Sequence, residues 1–523
     1  MHNGQKKCSN VIHHSSTVDP RNPSTNLSGA VASTVDLNLE AVTTIMVETA
    51  QKNDVEVTTG SIDKVIKVPT LNLSDQWKCK KVEDVLSVVK LNGELIKKIE
   101  KTFQNELERG LLDRSSSLQM ENTYIPELPN GTEQGQFLAL DLGGTNFRVI
   151  LMHLKKGLVT DEIVKHYHIP DELRLGSGLK LFDFLAACIS DFVHEYQVHD
   201  RVIPMGFTFS FPMHQRSLDS GILVTWTKSF KSSGVEKEDV VKMLKDAIHR
   251  RQDNHVEIVC VLNDTTGTLL QGASLDHKTA IGLILGTGSN ACYLEKADKV
   301  KHWETERHGE KNVVIDVEWG AFGDNGVLDF IRTEFDRCVD DNSLIQRSFT
   351  FEKYISGKYL GELVRVVLCR LVRDGLLFNG VSSEDLVTPN AFRTSFVSLI
   401  EQDSVDGLTH YTEKVLDDLG LTYNDDDILI VQRVCHLLSL RATLLVSICT
   451  AVLVRRIDRD DITIAVDGSL YKYHPRLKHW LQKYIQLLVP NKTFRLLLAE
   501  DGSGKGAGLA SAIALKLGAF QSK

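Results

Sequence analysis

Aromatic residues make up 7% of the 523-residue chain, yet none precedes Trp77. The same opening stretch is rich in Ser, Thr, Asn and Val and lacks a sustained helical period. It cannot bury enough apolar surface to offset its chain entropy, so residues 1–80 are expected to form a mostly disordered tail. Within it, residues 54–68 alternate weakly and could pair as a strand. Arg21 is the only arginine before Arg109, and no charged start leads into an apolar block. These absences argue against a mitochondrial presequence and a secretory signal. The nine cysteines are dispersed, without a C-x-x-C pair or a zinc-ligand spacing, which fits reduced thiols better than a disulfide framework. A formal net charge of -9 without a basic cluster argues against nucleic acid. The longest apolar run, 442–454, is bracketed by Arg441, Arg455 and Arg456 and reads as a buried core helix too short to span a bilayer. A soluble cytosolic protein is expected.

What is present is ordinary globular material, 42% hydrophobic and 25% charged, over a length that favours two or three domains. Leu95, Ile96, Ile99, Phe103 and Leu107 share one face of a helix predicted to stop around Gly110. From Phe137 onward, β-rich runs at 137–142, 148–153, 256–262, 280–285, 313–317, 462–466 and 494–499 alternate with helical patterns, which predicts an α/β protein. Segments 137–152 and 279–295 echo one another: each runs strand, glycine turn, strand, with Asn146 and Asn290 about one domain length apart. The echo fits either two ordinary hairpins or two related lobes whose glycine turns offer backbone N–H groups to an anion.

Asp264, in Asn263-Asp264-Thr265, follows a strand of Val and Ile, where open α/β sheets place ligands. An aspartate there can also be a plain helix cap, but Asn263 beside it offers a donor and an acceptor to a polyol. Residues 209–212 followed by 225–228 bring Ser210, Thr227 and Lys228 into a second polar group, in which Lys228 is either a phosphate contact or a solvated lysine. Glu318 and Glu352 are carboxylates suited to sugar hydroxyls, although Glu352 alone fits a helix N-terminal charge equally well. Near the end, 467–472 and 501–506 each follow a strand and precede a helix. The second is no Walker A motif, because Gly506 stands where Ser or Thr is needed.

Together these segments resemble the eukaryotic hexokinases, from about Val82 to about Ala519. Leu140-Asp141-Leu142-Gly143-Gly144-Thr145-Asn146-Phe147-Arg148 is similar to the family's first phosphate loop and 286–293 to its second. Residues 206–212 with Trp226-Thr227-Lys228 resemble its sugar signature, and Asn263-Asp264-Thr265 its catalytic segment. Residues 318–324 and 466–472 match two further blocks. The resemblance implies a ribonuclease H-like, actin-type ATPase fold with two lobes around a cleft. The small lobe would span 131–265 and the large lobe 81–130 and 266–519, including the C-terminal helix. It implies phosphoryl transfer from MgATP to the 6-hydroxyl of glucose, with mannose and fructose as further hexoses, the first step of glycolysis. Asp264 would be the general base. Ser210, Phe211, Thr227, Lys228, Asn263, Asn290, Glu318 and Glu352 would contact the hexose, with Lys228 also acting in catalysis. Asp141 would organise Mg²⁺ through water, and Gly143, Gly144, Thr145, Asn146 and Thr287 would face the phosphates. Thr388, Ser469, Leu470, Tyr471 and Lys472 would lie near the adenosine.

The chain departs from the family's pattern in three places: Ser229 stands for a glycine, Asp316-Val317 for Asn-Thr, and 344–349 lacks an Asn-Pro-Gly turn. The phosphate-loop string occurs once, so one catalytic unit is expected, working as a monomer without a recognisable hydrophobic anchor. Two alternatives remain open: a hexose sensor with little turnover, and an actin-like or chaperone-type ATPase, which needs no sugar-binding set.

Overall fold

The computed structural model describes residues 58–518, apart from 69, 114, 145, 228–229 and 253–254. Helix α1 (Thr59–Val65) falls inside the stretch expected to be a tail, and α2 (Gln76–Leu86) begins within it. Of the segment 54–68, 54–57 lie outside the described residues and 59–65 form helix instead of strand, with the Thr58 hydroxyl capping α1 and Ile62 fully buried. Four aliphatic side chains and a cysteine (Ile62, Leu73, Val82, Leu86, Cys79) anchor this segment without any aromatic. Helix α3 (Gly93–Asp113) runs through Gly110 rather than stopping there. A Cβ at Gly110 would lie 2.5 Å from Met120 Cγ, so this glycine serves close packing. The short strand β1 (Glu121–Asn122) follows.

Strands β2 (Gly135–Leu142), β3 (Asn146–Lys155) and β4 (Leu158–His168) form an antiparallel meander. Helix α4 (Gly178–Glu195) leads to β5 (Ile203–Phe209), which lies parallel to β2. The hairpin β6 (Met213–Ser217) and β7 (Ser220–Leu223), helix α5 (Val240–Arg250), and strand β8 (Val256–Leu262), parallel to β5, complete the first half. The sheet order is β4-β3-β2-β5-β8. The strand β5 escapes the sequence pattern because Pro204 and Gly206 look like turn residues. Gly206 is there because a Cβ would overlap the carbonyl of Ala507.

The second half repeats this plan. After helix α6 (Asp264–Leu275), strands β9 (Thr279–Leu285), β10 (Ser289–Lys296) and β11 (Asn312–Asp316) form a meander, and β1 pairs with the edge of β11. Helices α7 (Thr350–Ile355) and α8 (Asp425–Arg456) precede β12 (Asp461–Asp467). Helix α9 (Ser469–Tyr473), strand β13 (Thr493–Leu498) and helix α10 (Gly502–Lys516) follow. The order is β1-β11-β10-β9-β12-β13, so both meanders are flanked by two parallel strands in the same sequence. The 32-residue α8 extends well beyond the apolar run 442–454 and has the length and composition to cross a membrane, yet its apolar part is buried inside the fold.

Helices α6 and α10 lie between the two sheets. Their apolar faces share one core with Ile150 and Met152 of the first sheet and Cys292 and Val314 of the second. The C-terminal helix, expected in the large lobe, therefore packs on β2, β5 and β8 as well. The reason is steric: Gly506 and Gly508 let it approach, since a Cβ at either would overlap Gly267 or Met152. Gly506→Ala is expected to cost about 3 kcal/mol, the upper part of the usual overpacking range. Thermal unfolding checks this against Gly60→Ala, where nothing lies within 4 Å and stability should hold.

Candidate active site

The turn after β8 carries Asn263 and Asp264. Asn263 does cap α6, its side-chain oxygen accepting from the Thr265 N–H at 2.9 Å. Its amide nitrogen, however, donates to Glu318 Oε1 at 3.2 Å. Asn290, on β10, donates to the same oxygen at 3.1 Å and to Asp316 Oδ1 at 2.7 Å. Two amides from separate elements thus hold one carboxylate, and Asp264 sits partly exposed at the start of α6.

Glu318 itself adopts a left-handed backbone, with φ 51°, at the entry to a 3₁₀ turn. Such strain in a residue with a Cβ persists only where the surroundings fix it, and it concentrates at functional sites. The following Trp319 is fully buried and donates to Ser289 Oγ at 3.0 Å. Glu352, on α7, accepts from the Ser289 N–H at 3.1 Å. A Cβ at Gly288 would lie 2.9 Å from Glu352 Oε2, so the second glycine turn comes close to this carboxylate. Asp324 supports α7 from below, its two oxygens accepting from Phe349 N–H at 2.9 Å and Thr350 N–H at 2.8 Å. Together with the left-handed φ of 56° at Phe349, that clamp does the work of the missing Asn-Pro-Gly turn.

Burial raises both acidic groups beside Asn290. The Asp316 carboxyl is pushed up to about 8 by burial, with Asp264 and Glu121 adding to the effect and the Asn290 amide opposing it. Glu318 is pushed well above the usual carboxylate range by burial and by Asp316, Asp264 and Glu352.

A second group lies where β2 ends. Asp141 Oδ2 accepts from Ser503 Oγ at 2.9 Å and from Arg148 Nε at 3.2 Å, and Arg148 also pairs with Asp501. The first glycine turn is thereby tied to the turn that opens α10. Ser210, buried after β5, approaches this turn: a Cβ at Gly143 would lie 3.3 Å from its Oγ. Gly144 faces open space, and Asn146 opens β3. In the second glycine turn Thr287 is exposed, and the Gly286 and Thr287 carbonyls accept from Gly357 and Lys358 at 2.8 and 2.9 Å. Gly468, at φ 116°, lies where a Cβ would sit 2.5 Å from the Leu285 carbonyl, and it lays the start of α9 across that turn.

Asn263, Asp264, Asn290, Glu318 and Glu352 therefore converge, as do Asp141, Gly143 and Ser210. Thr227 is partly exposed after the buried Trp226, whereas Lys228, Ser229 and Thr145 lie outside the described residues. The Phe211 ring is 1% exposed and packs among Phe209, Trp226 and Phe230 in the lobe core. Leu470 and Tyr471 are buried in the second lobe, because a five-residue helix has to turn its apolar side inward. Lys472 pairs at the surface with Glu500 at 2.7 Å. Thr388 is exposed, and its hydroxyl bonds back to the Glu384 carbonyl at 2.9 Å. The sequence reading missed Arg148, Asp324 and Ser503 as site residues, although each lies within a motif it singled out. Among the described residues no group of three or more His, Cys, Asp or Glu is arranged to hold a metal ion.

Two sheets of one strand order, each with a glycine turn and polar groups at its strand ends, define a ribonuclease H-like, actin-type ATPase fold. Residues 81–274 and 280–513 match two family models, each described as hexokinase. The chain is 44% identical over 448 residues to hexokinase-2 of Homo sapiens, covering 84% of this chain and 48% of that protein. To human hexokinase-1 it is 42% identical over 451 residues, with the same coverages. It spans about half the length of these curated relatives. A solved hexokinase from Schistosoma mansoni complexed with glucose is 39% identical, with a TM-score of 0.78, and is covered completely. Another hexokinase crystal structure is 29% identical, with a TM-score of 0.73, and is also fully covered. The chain belongs to the hexokinase family.

Asp324→Ala removes both acceptors at the start of α7 and is expected to cost about 1–2 kcal/mol, the scale of a lost helix cap. Thermal unfolding together with limited proteolysis across 344–350 measures that loss and the loosening of the turn.

Proposed function

We propose that the protein transfers the γ-phosphoryl group of ATP to the 6-hydroxyl of glucose, and of mannose or fructose, with Asp264 as general base. The observation that carries this reading is the Asn263–Glu318–Asn290 network beside Asp264. Alternating amide and carboxylate groups suit a ligand whose hydroxyls both donate and accept. An actin-like ATPase acting on a protein has no use for such a set. The hexokinase complexed with glucose supports the choice of sugar.

In the proposed step Asp264 takes the proton of the 6-hydroxyl while that oxygen attacks the γ-phosphorus. The new O–P bond forms as the bond to the β-phosphate oxygen breaks, and ADP leaves. The protein's task is alignment and charge neutralisation. Lys228 would supply a point charge, with the glycine turns adding backbone N–H groups. Magnesium would arrive with the nucleotide and spread the phosphate charge, held through water by Asp141. A carboxylate flanked by the Ser503 hydroxyl is the hard-oxygen environment this ion takes. Sugar binding between the lobes would complete the site and limit hydrolysis of ATP by water. We take the working unit to be a monomer in the cytosol, in keeping with its free cysteines.

Coupled ADP release with MgATP, with and without glucose, tests the proposal on the purified protein and on Asp264→Ala. Turnover that requires glucose and falls at least about a hundredfold in the variant is expected. Glucose binding without turnover would replace the kinase with a sensor. ATP hydrolysis indifferent to sugar would indicate the ATPase.

A further inference from the structure

Position 316 carries an acid where the family pattern has an amide, and the fold places that acid one hydrogen bond behind the sugar-facing groups. Asp316 ends β11 and is 4% exposed. Its Oδ1 accepts from Asn290 Nδ2 at 2.7 Å, and the same nitrogen donates to Glu318 Oε1 at 3.1 Å. One amide therefore bridges two carboxyl groups, and its orientation depends on both. An asparagine at 316 would offer Asn290 the same acceptor without carrying a proton.

Every element packed around Asp316 contributes to its surroundings. Its cross-strand partner on β1 is Glu121, and its partner on β10 is Cys292. Glu121 meets His214 of β6 at 3.0 Å, and His214 meets Glu304 at 2.7 Å, with Arg216 a further 4.0 Å from Glu304. The Asp264 carboxylate of α6 and Glu121 both act against ionisation of Asp316, while the buried Cys292 thiol stays neutral because burial raises it. Glu318 and Glu352 complete an acidic wall. A second negative charge beside Glu318 is costly in this setting, and a sugar that fills the cleft and expels water makes it costlier.

We propose that Asp316 is a positioning residue of the hexose site, whose carboxyl group fixes the Asn290 amide and couples sugar binding to the proton that Asp316 holds. This rests on the hexose-binding reading above. The sign follows from linkage: Asp316 holds its proton at neutral pH, burial having pushed it up to about 8. Bound sugar strengthens that hold, so affinity is full below this pH and falls as pH rises through it. The dissociation constant should climb by up to about tenfold per pH unit on the alkaline side, the limit for one linked proton.

The test is the glucose dissociation constant from pH 6 to 9.5, by titration calorimetry without nucleotide, for wild type and Asp316→Asn. Wild type should lose affinity above about pH 8, and the variant, left with Glu318 as the raised acid, should lose less over the same range. Wild-type titrations at pH 8.5 in two buffers of different ionisation enthalpy should also register proton uptake, which needs no variant to fold. Identical alkaline losses in both proteins, or wild-type binding without proton uptake, would overturn the coupling while leaving the hexose site standing. Failure of wild type to bind glucose at any pH would instead overturn the hexose-binding reading and this inference together.

Discussion

Where α6 and α10 cross, neither helix can carry a side chain. A Cβ at Gly506 would overlap Gly267, and one at Gly267 would lie 2.9 Å from the Gly502 carbonyl and 3.0 Å from Ser503 Cα. Interiors pack at near-crystalline density, so a single added methyl group would force the helices apart. The site depends on that contact. Asn263 and Asp264 begin one helix, while Asp501 and Ser503 begin the other. Because the helices touch at their first turns, the general-base candidate and the Arg148–Asp141–Ser503 group fall on the same side of the molecule. The third contact of this kind, Gly206 against Ala507, keeps β5 under the same helix and so fixes where Ser210 emerges.

The two halves are one plan used twice, and the sequence carried a trace of it. The echo between 137–152 and 279–295 becomes two β-meanders, each joined to two parallel strands in the same order. What made it legible was glycine: a turn that must approach an anion or another backbone can be little else. The carboxylates were legible for a related reason, since an acid directly after a buried strand is conspicuous. Helices α1 and α2 were not. Their composition is that of a polar tail, and only the tertiary surface under Ile62, Leu73 and Val82 makes helix worthwhile. The ring of Phe211, beside Ser210 in sequence, packs among Phe209, Trp226 and Phe230 just past the end of β5. Asp324 and Arg148 were overlooked because they act on other parts of the protein, and such work leaves no local pattern.

The repeated plan also allows the halves to diverge chemically. In the first half the strand ends hold a hydroxyl and a carboxylate already balanced by Arg148, an arrangement compatible with a polyanion arriving nearby. In the second, the meander ends in Asp316 and Glu318, with Asn290 between them. Burying unpaired acids costs stability, and a protein selected for stability alone would replace them with apolar groups. Their retention at a strand end, around a glutamate with strained φ, is what the proposed ligand-binding role would account for.

Amides, rather than cations, hold Glu318, and that choice has a chemical consequence. An arginine beside Glu318 would satisfy it completely and leave little hydrogen-bonding capacity for a sugar. The Asn263 and Asn290 amides orient the carboxyl group more weakly and do not compensate a charge on it, which leaves burial and the neighbouring acids to push it well above the usual carboxylate range. The same lack of compensation lets Asp316 keep a proton near neutral pH. A group basic enough to accept strongly from a hydroxyl is also basic enough to hold a proton, and the proposed sugar site would therefore sit at the edge of its own titration.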